Sequence, residues 1–423
     1  MILQRLLTQT RNIDRSGFVW NTIAGSWFTF QPTAISFVIS RTMGASGTGQ
    51  FTYAVAQAYL FWGIGIYGMR RFQASDVTRQ FTFYEYLRSR IITCVAMVAF
   101  GLGYAGFRHW QGLDASSTLV LMLLVLGLRL VDSVEDVYLG YFQQNGRLDI
   151  GSKMTSLRQI VSTIVIIAAI LVTRSLTISI AVGAVTSAVL LLVLLPQAFT
   201  GPVSIEEKQH TDARTWRLLV TCAPLFFASL VSIFVSNAPR YAINTVMDST
   251  AQGYFAWLSM PPFLITLLGL IIFNPLVTKM ATQWASGDAS AFGKRVVKLT
   301  LGIGLVSVLA IAGGMVVGIP VLNFITGWDF AGYHRELLLL LLAGGLSALA
   351  GLFSTVLTIV RRQAWFTIGV VVSAGVGLTG VIWVRHGQLI GASWLYFALF
   401  AVQCVVFGVV LIIVIRKRQY GNG

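Results

Sequence analysis

Four ionisable residues fall within one otherwise apolar stretch of the sequence: Arg129, Asp132, Glu135 and Asp136. At about 100° per residue they share roughly one third of a helix circumference. The surrounding residues, 117–139, are long and apolar enough to cross a bilayer. A charged stripe on a spanning helix cannot face lipid, so it faces a cavity or another helix. Arg129 and Asp132 are one turn apart and can neutralise each other, which leaves Glu135 and Asp136 as an acidic end. Two chemistries fit this pattern. One is an ion-pair network that pins the helix to basic residues on the cytoplasmic side. The other is carriage of a proton or sodium ion by Asp132 or Asp136, which couples movement of the protein to an ion gradient. Carboxylates crowded in a low dielectric suit that second task.

The elements that must position this stripe are legible from composition. Of 423 residues, 56% are hydrophobic and only 11% charged, with a formal net charge of +15. Soluble domains carry roughly 25% charged residues, so a soluble enzyme is excluded. The apolar runs are continuous rather than alternating, which excludes an outer-membrane barrel. Twelve runs have spanning length: about 18–40, 50–69, 91–108, 117–139, 157–173, 176–196, 218–246, 252–278, 296–318, 336–360, 364–384 and 390–415. The fold class is therefore an all-α polytopic membrane protein with about twelve transmembrane helices.

Basic residues orient these spans. Of 30 Lys and Arg, 23 fall at the two termini and in alternate loops, six fall in the intervening loops, and Arg129 lies inside a span. The positive-inside rule places both termini in the cytoplasm. Other chemistry is scarce. Cys94, Cys222 and Cys404 lie far apart in apolar runs, and the four histidines fall in loops. No metal spacing, catalytic residue set or phosphate-binding glycine loop is visible, so neither a metal, a cofactor nor an enzymatic reaction is expected.

The chain divides into two halves. Met43–Phe51 and Met247–Phe255 share Met, Gly and Phe at a constant offset of 204 positions, and each joins the first two spans of a six-span half. Both copies leave the membrane in the same direction, as parallel transporter repeats do. The longest polar connection carries Gly201-Pro202 and Glu206-Glu207-Lys208. The expected organisation is a lobe over 1–196, a cytoplasmic linker over 197–216 and a lobe over 217–423. The alignment also extends the seventh span to about Val246, which moves Arg240 into the membrane.

Several segments together resemble the oligosaccharide flippases of the multidrug/oligosaccharidyl-lipid/polysaccharide (MOP) exporter superfamily. They are Trp20-Asn21-Thr22 with Ile39–Gly44, Tyr67–Asp76, Glu135-Asp136-Val137 followed by Gly140, Phe142-Gln143-Gln144 and Arg147-Leu148-Asp149, and Arg240–Ile243 with Gly253-Tyr254-Phe255 and Met260-Pro261. The resemblance covers spans 1–4, 7 and 8. It implies two six-helix lobes in a V around a central cavity. It also implies alternating access that turns a polyprenyl-pyrophosphate-linked oligosaccharide, such as an O-antigen, capsule or exopolysaccharide repeat unit, from the inner to the outer leaflet of a bacterial cytoplasmic membrane.

Such a substrate needs cations for its diphosphate, because a bare charge in hydrocarbon is costly. Arginine fits best, since its planar fork matches phosphate. The candidates are Arg240, Arg70, Arg71 and Arg41, each of which also reads as an interfacial anchor. Pro261, Pro262 and Pro275 in the eighth span predict a kinked helix that gates the cavity. Two other classes compete. A drug/cation antiporter of the same superfamily would want an acidic cavity. A polytopic polysaccharide polymerase or acyltransferase would want a long outer loop or a cluster of catalytic groups. The partners expected are the lipid-linked oligosaccharide, membrane lipids and a polysaccharide polymerase or assembly complex. Nucleic acid is not expected, and the protein should work as a monomer.

Overall fold

The structure is a computed structural model that describes residues 2–76, 79–199, 212–273 and 276–420. Their secondary structure is helical, joined by short turns, with no strand among the described residues. The first helices are α1 (Ile2–Thr8), α2 (Ile13–Thr42), α3 (Gly44–Ile66), α4 (Met69–Ser75), α5 (Phe83–Trp110), α6 (Ser116–Gln144), α7 (Leu148–Thr173) and α8 (Leu176–Phe199). Next come α9 (Asp212–Val246), α10 (Ser249–Leu258), α11 (Met260–Phe273), α12 (Val277–Ala285) and α13 (Ala289–Gly313). The last are α14 (Ile319–Thr326), α15 (His334–Ile359), α16 (Gln363–Leu378) and α17 (Gly380–Tyr420).

Among the described residues, eight helical stretches are individually long and apolar enough to cross a membrane: those of α5 to α9, α13 with α14, α15, and α17. The remaining four expected spans correspond to α2 and α3, to the pair α10–α11, and to α16. The corner between the last two expected spans falls at Gln388, whose backbone leaves the helical region (φ 51°, ψ −133°) inside α17.

The repeat has a matching geometry in both copies. Met43 N–H bonds the Ile39 carbonyl and Met247 N–H bonds the Ile243 carbonyl, each at 2.7 Å, so each first helix closes at the same register. The next helices bury Phe51 and Phe255 equivalently, both 2% exposed.

Two compact units are formed, Met1–Ile233 and Phe234–Gly423. The boundary lies inside α9, whereas the sequence placed it over 197–216, of which 200–211 lie outside the described residues. The reason is the packing of the first half of α9. Leu218, Leu219 and Cys222 are buried in one apolar cluster with Leu7, Met69, Tyr86 and Phe142. Tyr67 stacks on Phe226 with ring centroids 4.4 Å apart.

In the second unit the expected proline kink takes a specific form. Proline has no N–H, so Pro261 and Pro262 cannot bond the carbonyls four residues earlier, at Trp257 and Leu258. The helix accordingly breaks at Ser259, and both prolines occupy the first turn of α11, where a missing N–H costs little. Pro262 is buried against Gly344 of α15, where a Cβ would lie 2.7 Å from the proline backbone. Pro275 lies outside the described residues.

Candidate functional site

The charged stripe of α6 lies at the centre of the first unit. Arg129, Asp132 and Glu135 are buried at 3%, 8% and 2% exposure, and only Asp136 keeps a partly open side chain. Arg129 meets Asp132 at 2.8 Å, as the spacing predicts. The acidic end is paired with arginines of neighbouring helices, the arrangement of the ion-pair reading. Arg158 of α7 reaches Asp132 at 2.5 Å and Glu135 at 2.6 Å, and Arg90 of α5 reaches Asp136 at 2.6 Å. Arg70 stands 3.8 Å from the same Asp136.

The network continues outward through neutral groups. Arg129 donates to Gln31 Oε1 at 2.7 Å, and Gln31 donates to Thr163 Oγ1 at 2.8 Å. The Arg129 guanidinium also lies over the rings of Phe28 and Tyr59, 5.1 and 5.4 Å from their centroids. Arg158 donates to the Ser187 hydroxyl of α8. Arg90 donates to the Gly65 carbonyl of α3, which also accepts from the Thr93 hydroxyl at 2.9 Å. A Cβ at Gly65 would collide with Met97 and Ser133, so α3 and α5 approach this closely only because the residue is glycine.

Arg90, Lys153 and Arg158, which hydropathy places in loops between spans, are buried helix residues, and Arg147 is the buried N-cap of α7. Arg90 and Arg158 are each 1% exposed. Arg147 and Lys153, at 9% and 8%, hold α1 instead. Arg147 pairs with Asp149 at 2.9 Å and donates to the Thr8 carbonyl at 3.0 Å, and Lys153 donates to the Leu6 carbonyl at 3.1 Å. Both thus cover the carbonyls that the end of a helix leaves unpaired. A signal for Arg158 was available in the sequence. Ser152, Thr155, Ser156, Gln159, Ser162 and Thr163 recur at helical spacing and make one polar face on α7, and Arg158 begins the same turn.

A cavity of about 460 Å³ opens beside this network. Its carboxylates are Asp132, Glu135 and Asp136, and its cations are Arg70 and Arg71. The two arginines are positioned by an unusual turn. Tyr67 and Gly68 both take left-handed backbone, φ 51° and 63°, and α4 starts immediately after them. The stack of Tyr67 on Phe226 holds a conformation that costs a non-glycine residue about 1–3 kcal/mol. A Cβ on Gly68 would press on Leu225 at 3.1 Å.

At the other end of α4, Asp76 accepts from the backbone N–H groups of Gln80 and Phe81, at 2.9 and 3.1 Å. It also accepts from the Tyr86 hydroxyl at 3.1 Å. Phe81, Phe83 and Tyr86 are thereby drawn into the buried interior. α5 then starts on a capping box in which Thr82 and Glu85 satisfy each other's backbone N–H.

The other candidates are placed elsewhere. Arg41 is exposed at the end of α2 and does not line this cavity. Arg240 belongs to the second unit, half-buried in α9, and donates to Asn237 Oδ1 at 3.2 Å.

No protein-family model matches the sequence, and no curated protein does. Solved structures match in fold. A lipid II flippase, MurJ, in an inward closed conformation superposes with a TM-score of 0.68 at 11% identity, over 96% of this chain and 89% of that one. An inward-facing multidrug resistance transporter of the MATE family in the MOP superfamily gives 0.66 at 10% identity, over 93% and 96%. A MOP superfamily transporter from Pyrococcus furiosus Vc1, described as having a binding pocket of reverse polarity, gives 0.58 at 11% identity, over 98% of both chains. The fold is thus the one these MOP superfamily transporters share.

Proposed function

We propose that the protein is a flippase for a polyprenyl-diphosphate-linked oligosaccharide in a bacterial cytoplasmic membrane. One observation carries this reading. Every carboxylate in the first unit's cavity is held by arginine, while Arg71 is exposed, makes no ion pair among the described residues, and lines the cavity beside Arg70. Five arginines (70, 71, 90, 129 and 158) surround three carboxylates, so the site carries a surplus of positive charge suited to a diphosphate. Arg240 is the second unit's candidate for the same charge, and Arg41 is an outer anchor. The drug/cation antiporter reading draws on the MATE neighbours and on the three carboxylates; it requires at least one of them to be free for a cation. Asp136, the most open, is also the carboxylate that a coupling proton or sodium ion would reach.

The test uses the purified chain in liposomes. Flipping of a fluorescent polyprenyl-diphosphate sugar lipid is expected, and Arg70→Gln/Arg71→Gln should slow it at least about tenfold, some 1.4 kcal/mol, at unchanged protein abundance. Transport of an organic cation instead, with no flipping, would overturn the reading.

The proposed orientation is tested separately. Reporters inserted at the exposed turns Gly146 and Arg361 should read as cytoplasmic, and those at Gly112, Arg174 and Gly327 as external. These sites lie in turns between helices, where an insertion interrupts no helix. An external reading at both inner sites would reverse the topology.

A further inference from the structure

We infer that the wall of this cavity formed by α3 and α7 reads the sugar attached to the diphosphate, through Trp62, Thr155 and Gln159. The inference rests on the flippase reading above. All three residues line the cavity. Trp62 Nε1 and Gln159 Oε1 are each buried without a hydrogen-bond partner, and the Thr155 hydroxyl bonds only the Glu135 carboxylate. Thr155 and Gln159 are only 6% and 4% exposed. Buried polar groups are otherwise paired in about nine cases of ten, and leaving one unpaired costs about 1–3 kcal/mol. Two such groups on one cavity wall, beside a threonine hydroxyl that can still accept, mark a surface shaped for a ligand.

Their chemistry selects the ligand class. The indole N–H donates, the amide oxygen accepts, and the threonine hydroxyl, which donates to Glu135, accepts. A pyranose answers all three, because each of its hydroxyls donates and accepts. Its apolar C–H face also suits the indole, which is braced by Phe28 with ring centroids 5.2 Å apart. A cation is poorly served here. The nearest carboxylates, Asp132 and Glu135, are both held by Arg158, and with Arg129 these four groups are neutral. A second phosphate finds no cation to spare, since Arg129 and Arg158 are committed to the same pairs. Arg70 and Arg71 lie at the start of α4, on a different wall. The cavity is thus divided between a cationic wall and a neutral hydrogen-bonding one, and its volume is within the usual range for a ligand site.

The experiment measures equilibrium binding of two probes to the purified full chain in nanodiscs. One is a polyprenyl diphosphate bearing a single N-acetylhexosamine; the other is the same lipid without sugar. The wild type should prefer the sugar-bearing lipid by about tenfold or more, and Gln159→Leu and Trp62→Phe should each narrow that ratio several-fold toward one. Neither substitution removes a hydrogen bond present in the structure, so both proteins should fold, and each gives a reading independent of the other. Equal wild-type affinity for the two lipids would overturn the sugar wall and leave the flippase reading standing. An unchanged ratio in the variants would overturn these residues as its readers. Failure of the wild type to bind either lipid would overturn the flippase reading, and the inference with it.

Discussion

Arg158→Leu is expected to destabilise the first unit by about 3–5 kcal/mol, the cost of removing one partner from a buried ion pair. The single guanidinium of Arg158 serves both Asp132 and Glu135, at 2.5 and 2.6 Å, and it is 1% exposed. Its loss leaves Glu135 charged and unpaired at 2% exposure, while Asp132 keeps Arg129 at 2.8 Å. The measurement is the fraction of protein that stays monodisperse on size exclusion after a heating series. The neutral pair Glu135→Gln/Arg158→Gln keeps the Arg129–Asp132 bridge and removes both stranded charges. It should recover most of the loss, because the penalty lies in the uncompensated charge rather than in the missing contact. If Arg158→Leu matches the wild type, or the double variant is no better than the single one, the network does not hold α6 to α7.

The same residues show what the sequence could and could not reveal. The α6 stripe was legible because four charges on one apolar span have a single geometric reading, and its first pair formed as spacing alone dictates. Its remaining partners were not legible by the same route. Arg90 and Arg158 lie at the ends of apolar runs, where hydropathy cannot separate a loop residue from the first buried turn of a helix. Both helices begin well before their apolar cores, α5 at Phe83 and α7 at Leu148. A count of basic residues against loops is a statistical bias, and it keeps its sign when a few of those residues are buried. A site needs each residue placed.

The cavity arginines were nameable as candidates. The left-handed Tyr67–Gly68 turn that aims them was not, since tyrosine rarely adopts φ near 51° and depends here on Phe226, which is distant in sequence. The boundary between the compact units lies apart from the polar connection for a related reason. Composition marks a polar linker, but the first half of α9 follows its apolar contacts, and those place it with the first unit.

Asp136→Asn separates the two transport readings, because its effects on folding and on binding run in opposite directions. Asp136 is the anionic partner of Arg90 at 2.6 Å and stands 3.8 Å from Arg70, with 18% of its side chain exposed. Neutralising it strands the buried Arg90 charge, which still donates to the Gly65 carbonyl. Stability should fall by about 2–4 kcal/mol, less than for Arg158→Leu, because asparagine can still accept a hydrogen bond. The same change releases Arg70 toward the cavity. Two unit charges 4 Å apart interact by about 4 kcal/mol at an effective dielectric near 20, so even a fraction of that strengthens binding of an anion substantially. The dissociation constant for a polyprenyl diphosphate lipid should therefore tighten by about tenfold in protein that remains folded, and the gain should shrink as salt is raised. A cation antiporter requires the reverse, since the same substitution removes the carboxylate most open to its substrate. Weaker binding of the anionic lipid together with lost affinity for an organic cation would reassign the cavity to cationic cargo.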